Sequence, residues 1–143
     1  MKIGELAKLA QCTTETIRFY EKIDLLPKPD RTENNYRIYS KKHLDRLIFI
    51  RNCRALEMSH DEIRSLIQIM DNQNQSDNHK NAHLLLNKHL HHIDARIKEL
   101  TRLRAQLTKL EKNCRPTDGV CGILQEISGM EVEAKSKVDK SHL

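Results

Sequence analysis

Aromatic side chains and long apolar runs are scarce in this sequence, and each shortage excludes a class of protein. Only 3% of its 143 residues are aromatic and tryptophan is absent, whereas 31% are charged. Such a composition offers little material for a large core and suits helices that bury a narrow stripe. No apolar run approaches the roughly 20 residues that a membrane-spanning helix requires. We therefore expect one compact domain of ordinary size, or a small domain with an extended helical element, and no membrane partner.

Three further features of the sequence indicate where the protein acts and what it binds. Residues 1–5 lead into an amphipathic pattern rather than the apolar core of a signal peptide, so we expect a cytoplasmic protein. Its four cysteines would stay reduced there, as metal ligands, redox groups or core residues. The formal net charge is +5, and residues 1–58 contain twelve Lys and Arg against eight Asp and Glu. This excess favours a polyanion as partner.

Two short helices are predicted at the start of the chain. Residues 1–11 carry apolar side chains on one helical face, and Thr13 is a favoured N-cap residue for a second helix. Pro27 and Pro29 end the second helix because proline cannot donate a backbone hydrogen bond. Two short helices joined by a tight turn are typical of a helix-turn-helix motif, although a generic helical hairpin fits the same pattern.

A hairpin and two more helices are predicted next. Residues 33–35 (Glu-Asn-Asn) are typical of a tight turn, since asparagine tolerates the left-handed backbone region. The turn lies between residues 31–32 and the alternating residues 36–39, which predicts a small β-hairpin, or wing. Ser40 is expected to cap a third helix, and Ser59-His60-Asp61-Glu62 is a capping box for a fourth. Residues 1–70 are therefore predicted to form a winged helix-turn-helix domain with connecting helices.

A long helix is predicted over residues 79–113, which contain no proline or glycine. Its apolar residues are spaced by four, three, four and three positions, as in the a/d seam of a coiled coil. These residues are Leu86, Leu90, Ile93, Ile97 and Leu100. A fold-back onto the third and fourth helices would explain only the start of this stripe, near residues 84–86. We therefore expect the helix to pair with a second copy of the chain.

The four cysteines fall into two groups. Cys12 lies in the turn of the helix-turn-helix and Cys53 beside an apolar face, so both are expected to be structural. Cys114 and Cys121 are separated by six residues that include proline and glycine, and such a loop can curl around an ion. Thiolates at this spacing suit soft or borderline cations, and a redox disulfide is the alternative. Residues 114–128 are thus predicted to form a metal-binding loop with a short helix, and 129–143 a disordered tail.

Several segments occur in an order that is specific to one family. They are Ile3-Gly4-Glu5-Leu6-Ala7, Thr16-Ile17-Arg18-Phe19-Tyr20-Glu21, Leu25-Leu26, Arg31, Asn35-Tyr36-Arg37-Ile38-Tyr39, Ile48-Phe49-Ile50-Arg51, Arg54 and Asp61-Glu62-Ile63-Arg64. The first 58 residues thereby resemble the DNA-binding domain of the MerR family, and the likeness extends over roughly residues 1–128. Within that family, the sequence is most similar to the branch that responds to divalent cadmium, lead or zinc.

The resemblance implies a set of DNA-binding residues. In such proteins the second helix enters the major groove, where Arg and Thr reach base edges or phosphates, and the wing holds the phosphate backbone. The matching positions here are Thr14, Thr16, Arg18, Tyr20, Arg31, Tyr36, Arg37, Tyr39 and Arg54. For Tyr36 and Tyr39, half-buried packing on the wing is the competing interpretation.

The resemblance also implies a third metal ligand in addition to Cys114 and Cys121. Relatives in the cadmium, lead and zinc branch have a cysteine at the start of the long helix, supplied by the other subunit. The corresponding position in this chain is His79, which would replace a thiolate with an imidazole and suits zinc well. A solvent-exposed histidine at the helix start is the competing interpretation, and His83, one turn later, could assist or substitute.

The expected protein is mainly α-helical: a winged helix-turn-helix domain, a long antiparallel coiled-coil helix for homodimerisation, and a C-terminal metal-binding loop. Its expected function is metal-responsive transcription regulation, with Cd, Pb or Zn as effector and double-stranded promoter DNA and RNA polymerase as partners. A thiol redox sensor of the same fold is the alternative. A metal-dependent enzyme would need an open coordination position and a general acid or base. Near Cys121 no residue is a better candidate for the acid or base than Asp118, and an enzyme would leave the DNA-binding segment unexplained. We therefore expect no catalysis.

Overall fold

The computed structural model describes residues 1–72, 74–113, 116–117 and 120–131, without the side chains of 116, 117 and 120. It divides into two compact units, the first formed by Met1–Leu85 and the second beginning at Leu86. Cys114 and residues 132–143, most of the predicted tail, lie outside the described residues. No helix in the described ranges has the length and hydropathy to cross a bilayer.

The first unit begins with the predicted helix-turn-helix. Helix α1 spans Ile3–Ala10 and α2 spans Thr14–Lys22. The turn is sharp because Gln11 adopts a left-handed conformation (φ 55°) that ends α1. Thr13 starts α2, since its side-chain oxygen accepts a hydrogen bond from the backbone N–H of Thr16 at 3.1 Å. The predicted cap at Thr13 is therefore confirmed.

The predicted wing is a two-stranded antiparallel hairpin. Strand β1 (Asp30–Arg31) pairs with β2 (Arg37–Ile38), with Arg31 opposite Arg37. Asn35 adopts the left-handed conformation (φ 66°) expected of the turn. The backbone N–H of Tyr39, just after β2, donates to the carbonyl of Met1 at 2.8 Å, which holds the base of the wing against the start of the chain.

Two capped helices follow the wing. Helix α3 spans Lys41–Ala55, and α4 spans His60–Asp71. The capping box that begins α4 is formed as predicted, with reciprocal hydrogen bonds between Ser59 and Glu62. At the start of α3 the Ser40 N–H donates to Nδ1 of the His43 ring at 3.0 Å. Both helix starts are therefore defined by contacts between residues three positions apart.

The core of the first unit consists of two apolar clusters. One contains side chains of α1, α2, the segment after α2, the wing and α3: Leu6, Ala7, Ala10, Ile17, Leu26, Tyr39 and Leu47. The other contains side chains of α3, α4 and the preceding turns: Leu25, Ile50, Cys53, Met58, Ile63 and Ile67. Tyr20 packs against both clusters. A fully buried Leu or Ile stabilises the fold by roughly 1.5–3 kcal/mol, so these clusters stabilise the packing of α2 and the wing against the other helices.

The long helix α5 spans Asn78–Lys112 without a break, close to the predicted 79–113. Four residues of its predicted seam are 45–56% exposed in the single chain: Leu86, Leu90, Ile97 and Leu100. After α5, a short hairpin formed by β3 (Pro116–Thr117) and β4 (Val120–Cys121) occupies the segment expected to be a loop. Helix α6 (Gly122–Ser128) is the last helix of the described residues. The fold is mainly helical, as predicted.

Candidate functional site

Helix α2 presents polar side chains on its outer face. Arg18 is exposed, and Thr14 is partly exposed in the first turn. The hydroxyl of Thr16 lies 2.8 Å from that of Thr13, so Thr16 also supports the cap of the helix. Ile17 is fully buried, so the orientation of α2 is set by the core, and the next residue, Arg18, is left exposed.

The wing adds further cationic and aromatic side chains. The Arg31 guanidinium donates to the carbonyl of Asn35 at 3.0 Å and thereby braces the turn. Tyr36 is 69% exposed and Arg37 is exposed on β2. Positively charged and hydroxyl-bearing groups on a hairpin tip are the usual donors to phosphate oxygens. The structure therefore leaves three of the predicted wing residues accessible to a polyanion.

Tyr39 is placed differently from the prediction. Its side chain is 1% exposed, and its hydroxyl donates to Oε1 of Glu21 at 2.5 Å. Burial, followed by the hydrogen bond to Glu21, raises the pKa of Tyr39 to about 12. A hydroxyl buried in this way cannot reach a phosphate in this conformation. The interpretation of Tyr39 as a packing residue therefore replaces its assignment as a DNA contact.

Glu21 is a residue of the site that sequence reasoning missed. Its carboxylate is buried at the end of α2, accepts the hydrogen bond from Tyr39 and lies 3.7 Å from the Arg37 guanidinium. Both partners belong to the wing, so one carboxylate joins α2 to the hairpin. Glu21 follows Ile17 by four residues and so lies on the same inward face of α2. This spacing is the sequence signal that could have predicted its burial.

We expect Tyr39→Phe to destabilise the first unit by about 1–3 kcal/mol, because a buried carboxylate loses its hydroxyl donor. Urea unfolding at neutral pH measures this change, and the exposed Tyr36→Phe, a matched control, should stay within about 0.5 kcal/mol of the parent. Since folding raises the pKa of Tyr39 above its ordinary value, its contribution is present below pH 10 and is lost as the pH rises towards 12. Equal stabilities for the two variants would contradict this role of Glu21.

A third group of aromatic and basic side chains comes from α2, α3 and α4. The ring centroid of His60 lies 6.0 Å from that of Tyr20 and 5.5 Å from that of Phe19. Burial, and then the charges of Arg54 and Arg64, lower the pKa of His60. Arg54 donates to the carbonyl of Met58 at 2.7 Å, so part of its guanidinium is used to close the turn after α3. Tyr20 and Arg54 remain partly exposed.

Three of the four candidate metal-binding side chains lie within the described residues. Cys121 is exposed at the end of β4, whereas Cys114 lies outside the described residues. His79 is exposed in the first turn of α5, and the ring of His83 lies 4.5 Å from it, centroid to centroid. Thiolates and imidazoles together are the donors that zinc prefers, so the chemistry of this set fits the implied ion.

The other two cysteines have a different environment. Cys53 is buried in the second core cluster, and Cys12 packs against the first. Burial raises the pKa of both thiols, with Arg51 partly opposing the effect at Cys12. A raised pKa disfavours the thiolate that a metal requires. Both cysteines therefore serve the core, as predicted.

Comparison with known proteins decides the family. The chain matches the MerR HTH family regulatory protein model over residues 1–69 and the MerR DNA-binding model over 44–110. It is 42% identical over 132 residues to the HTH-type transcriptional regulator ZntR homolog of Haemophilus influenzae. The aligned region covers 92% of this chain and 96% of that protein. The chain belongs to the MerR family.

Two solved structures support this assignment to the MerR family. The transcription regulator PbrR691 from Ralstonia metallidurans CH34, in complex with lead(II), is 43% identical, with a TM-score of 0.77 over 89% of this chain and 98% of that one. MerR from Bacillus megaterium MB1, in complex with mercury(II), is 27% identical, with a TM-score of 0.68 over 90% and 99%. The match therefore includes the long helix as well as the winged domain.

Proposed function

We propose that this MerR-family protein is a homodimeric transcription regulator that binds promoter DNA and responds to divalent zinc, cadmium or lead. The observation that carries the proposal is the pairing of α2 with the wing through Glu21, which places the helix of Arg18 and the hairpin of Arg31 and Arg37 in one packed unit. Such a unit can place a helix in the major groove and a hairpin on the adjacent backbone. In this account the protein acts through DNA in the cytoplasm and catalyses no reaction.

The proposed DNA contacts divide into two kinds. Thr14, Thr16 and Arg18 on α2 approach base edges or phosphates in the major groove, where arginine recognises guanine by two hydrogen bonds. The remaining contacts hold the phosphate backbone and fix the register of the protein on the duplex. They are made by Tyr20, Arg31, Tyr36, Arg37 and Arg54. Exposure of the wing side chains and the excess of basic residues in the first 58 positions support this division.

The proposed dimer is an antiparallel coiled coil of two α5 helices. Helix α5 carries an apolar stripe along its length, with Leu90, Ile97 and Leu100 each about half exposed in the single chain. A second copy of the same helix offers a self-complementary stripe, as expected for a two-fold symmetric interface. The chain has few aromatic residues, so it offers little other apolar surface that could cover the stripe of α5.

The proposed metal site combines Cys114 and Cys121 of one subunit with the start of α5 of the other, where His79 lies. The donor types favour soft and borderline ions, and PbrR691, similar over most of this chain, was solved with lead(II). Zinc is favoured over lead, since an imidazole replaces one thiolate. When bound, the ion supplies only coordination bonds, which link the position of one subunit to that of its partner.

The proposed mechanism is a shift between two dimer conformations on the same promoter. Metal favours one of them only if it binds that conformation more tightly. A site shared between subunits meets this requirement, because its geometry depends on their relative position. The favoured conformation bends and untwists the DNA, which aligns the promoter elements for RNA polymerase.

We expect Arg18→Ala to weaken promoter binding by about 1–3 kcal/mol, which is roughly fivefold to 150-fold. The probe is an operator fragment selected by the parent protein from random-sequence duplexes, and affinity is measured by fluorescence anisotropy from 50 to 300 mM salt. The remaining phosphate contacts should keep the affinity steeply dependent on salt. Lys98→Ala on α5, which removes the same charge elsewhere, should bind as the parent does. Equal affinities for Arg18→Ala and Lys98→Ala would contradict the role of α2.

The experiment that tests the whole proposal is transcription from that operator with and without added metal. Zinc, cadmium and lead are titrated separately with purified RNA polymerase and the full chain. We expect activation at low metal concentration with little change in promoter occupancy, because both conformations bind DNA. A response to an oxidant in the absence of metal would favour a redox sensor instead.

A further inference from the structure

Three aromatic rings form a cluster where α2 meets the start of α4. His60 is the first residue of α4, and its ring centroid lies 5.5 Å from that of Phe19 and 6.0 Å from that of Tyr20. The rings of Phe19 and Tyr20 are 5.8 Å apart, so each ring contacts the other two. His60 and Tyr20 are partly exposed, and Phe19 is 45% exposed. The cluster therefore places an imidazole at the surface, in contact with the helix that is proposed to enter the major groove.

Positive charge exceeds negative charge around the ring of His60. Burial has the largest effect on the pKa of Tyr20, which it raises, and on the pKa of His60, which it lowers. The charge of Arg54 on α3 is the next influence on both pKa values, so Arg54 lies near both side chains. The other charges that act on His60 belong to α4 and are Arg64, which donates to Asp61 at 2.9 Å, and Asp61 itself. Two guanidinium groups, one carboxylate and a phenol hydroxyl make a surface that suits an anion.

We infer that His60 is a DNA-binding residue, and that its protonated ring donates a hydrogen bond to the backbone phosphate held by Tyr20 and Arg54. The inference rests on the proposed function, in which both of these partners contact the phosphate backbone. An imidazolium has two N–H donors, and its charge-assisted hydrogen bonds to phosphate are stronger than those of a neutral donor. One side chain each from α2, α3 and α4 then holds the same phosphate, which helps to fix the position of α2 on the duplex.

The contact makes DNA binding depend on pH. Without DNA, burial and then the charges of Arg54 and Arg64 hold the pKa of His60 below its ordinary value, so the ring is neutral at neutral pH. A phosphate oxygen opposes these influences and raises the pKa of His60 in the complex. The contribution of His60 to affinity is therefore complete below its pKa in the free protein. It is lost as the pH rises through its higher pKa in the complex.

The test measures operator binding by the full chain as a function of pH. The probe is the operator fragment selected by the parent protein. Fluorescence anisotropy gives its affinity from about pH 5 to about pH 8, the range in which histidine titrates, at constant ionic strength and without phosphate in the buffer. We expect the affinity of the parent to rise by about tenfold as the pH falls, since a hydrogen bond to a charged group is gained. One more phosphate is then neutralised, so the dependence of log affinity on log salt should steepen by about one unit at the low end of the range.

Three variants separate the charge of His60 from its packing. His60→Gln keeps a donor but cannot take up a proton, so it should match the parent at the high end of the pH range and gain no affinity as the pH falls. His60→Lys is charged throughout and should bind at the high end about as tightly as the parent does at the low end. His91→Gln removes an exposed histidine of α5 and should retain the pH profile of the parent. In the parent itself, NMR should show that the His60 imidazole titrates at a higher pH in the complex than in the free protein.

Different outcomes separate this inference from the proposed function. An equal loss of affinity for His60→Gln at every pH would assign His60 a packing role beside Tyr20 and overturn the inference. Identical pH profiles for His60→Gln and His91→Gln, or one NMR midpoint for His60 with and without DNA, would also overturn it. Urea unfolding at both ends of the pH range checks that each variant is folded, and the NMR titration needs no variant. If the parent selects no operator, the proposed function fails and this inference fails with it, whereas an operator bound without these effects contradicts the inference alone.

Discussion

Replacing Ile93 and Ile97 with aspartate is expected to convert the dimer into a monomer. Both residues lie on the apolar stripe of α5, and Ile97 is 56% exposed in the single chain. In the proposed coiled coil their side chains would be buried against the partner, so each aspartate would place a charge in a desolvated seam. An uncompensated buried charge costs about 3–5 kcal/mol. The dimer dissociation constant should therefore rise by at least about 100-fold.

Sedimentation equilibrium of the full chain measures this change. The control, His91→Asp with Ala95→Asp, has the same spacing and the same charge but lies on the opposite, polar face of α5. We expect the control to remain dimeric and to keep the helix content of the parent. A dimer of unchanged stability in the Ile93→Asp, Ile97→Asp variant would show that α5 does not form the interface.

The second large effect is expected at His79, in the metal response. His79→Ala should bind the operator as the parent does, because it leaves α2 and the wing unchanged. Activation should require at least about tenfold more zinc, since loss of residues that merely support a metal ligand already costs 10- to 100-fold in affinity or activity. His79→Cys should restore a thiolate and shift the preference from zinc towards cadmium and lead.

Transcription measured against zinc, cadmium and lead for the parent and the two variants decides this prediction. The exposed His91→Ala serves as control and should respond as the parent does. If His79→Ala leaves all three dose responses unchanged, His79 is a helix-surface residue and not a ligand. If His79→Cys and the parent rank the metals identically, the donor at this position does not set the preference.

Local sequence patterns determined most of the helix boundaries and turns of this protein. The cap at Thr13, the turn at Asn35 and the capping box at Ser59 each involve partners within four residues, so a short window of sequence contains the whole interaction. The extent of α5 follows in the same way, from a long stretch without proline or glycine. The helix-turn-helix and the wing were therefore predictable from short-range chemistry, and the order of motifs indicated the family.

Only the tertiary structure decided which polar groups turn inward. Tyr39 and Glu21 are 18 positions apart, and their hydrogen bond exists because the base of the wing packs against the end of α2. An exposed tyrosine that binds phosphate and a buried one that supports the wing have the same local pattern, so the alternation of a short strand cannot separate them. The physical reason is that burial of a polar side chain depends on a partner brought to it by the fold.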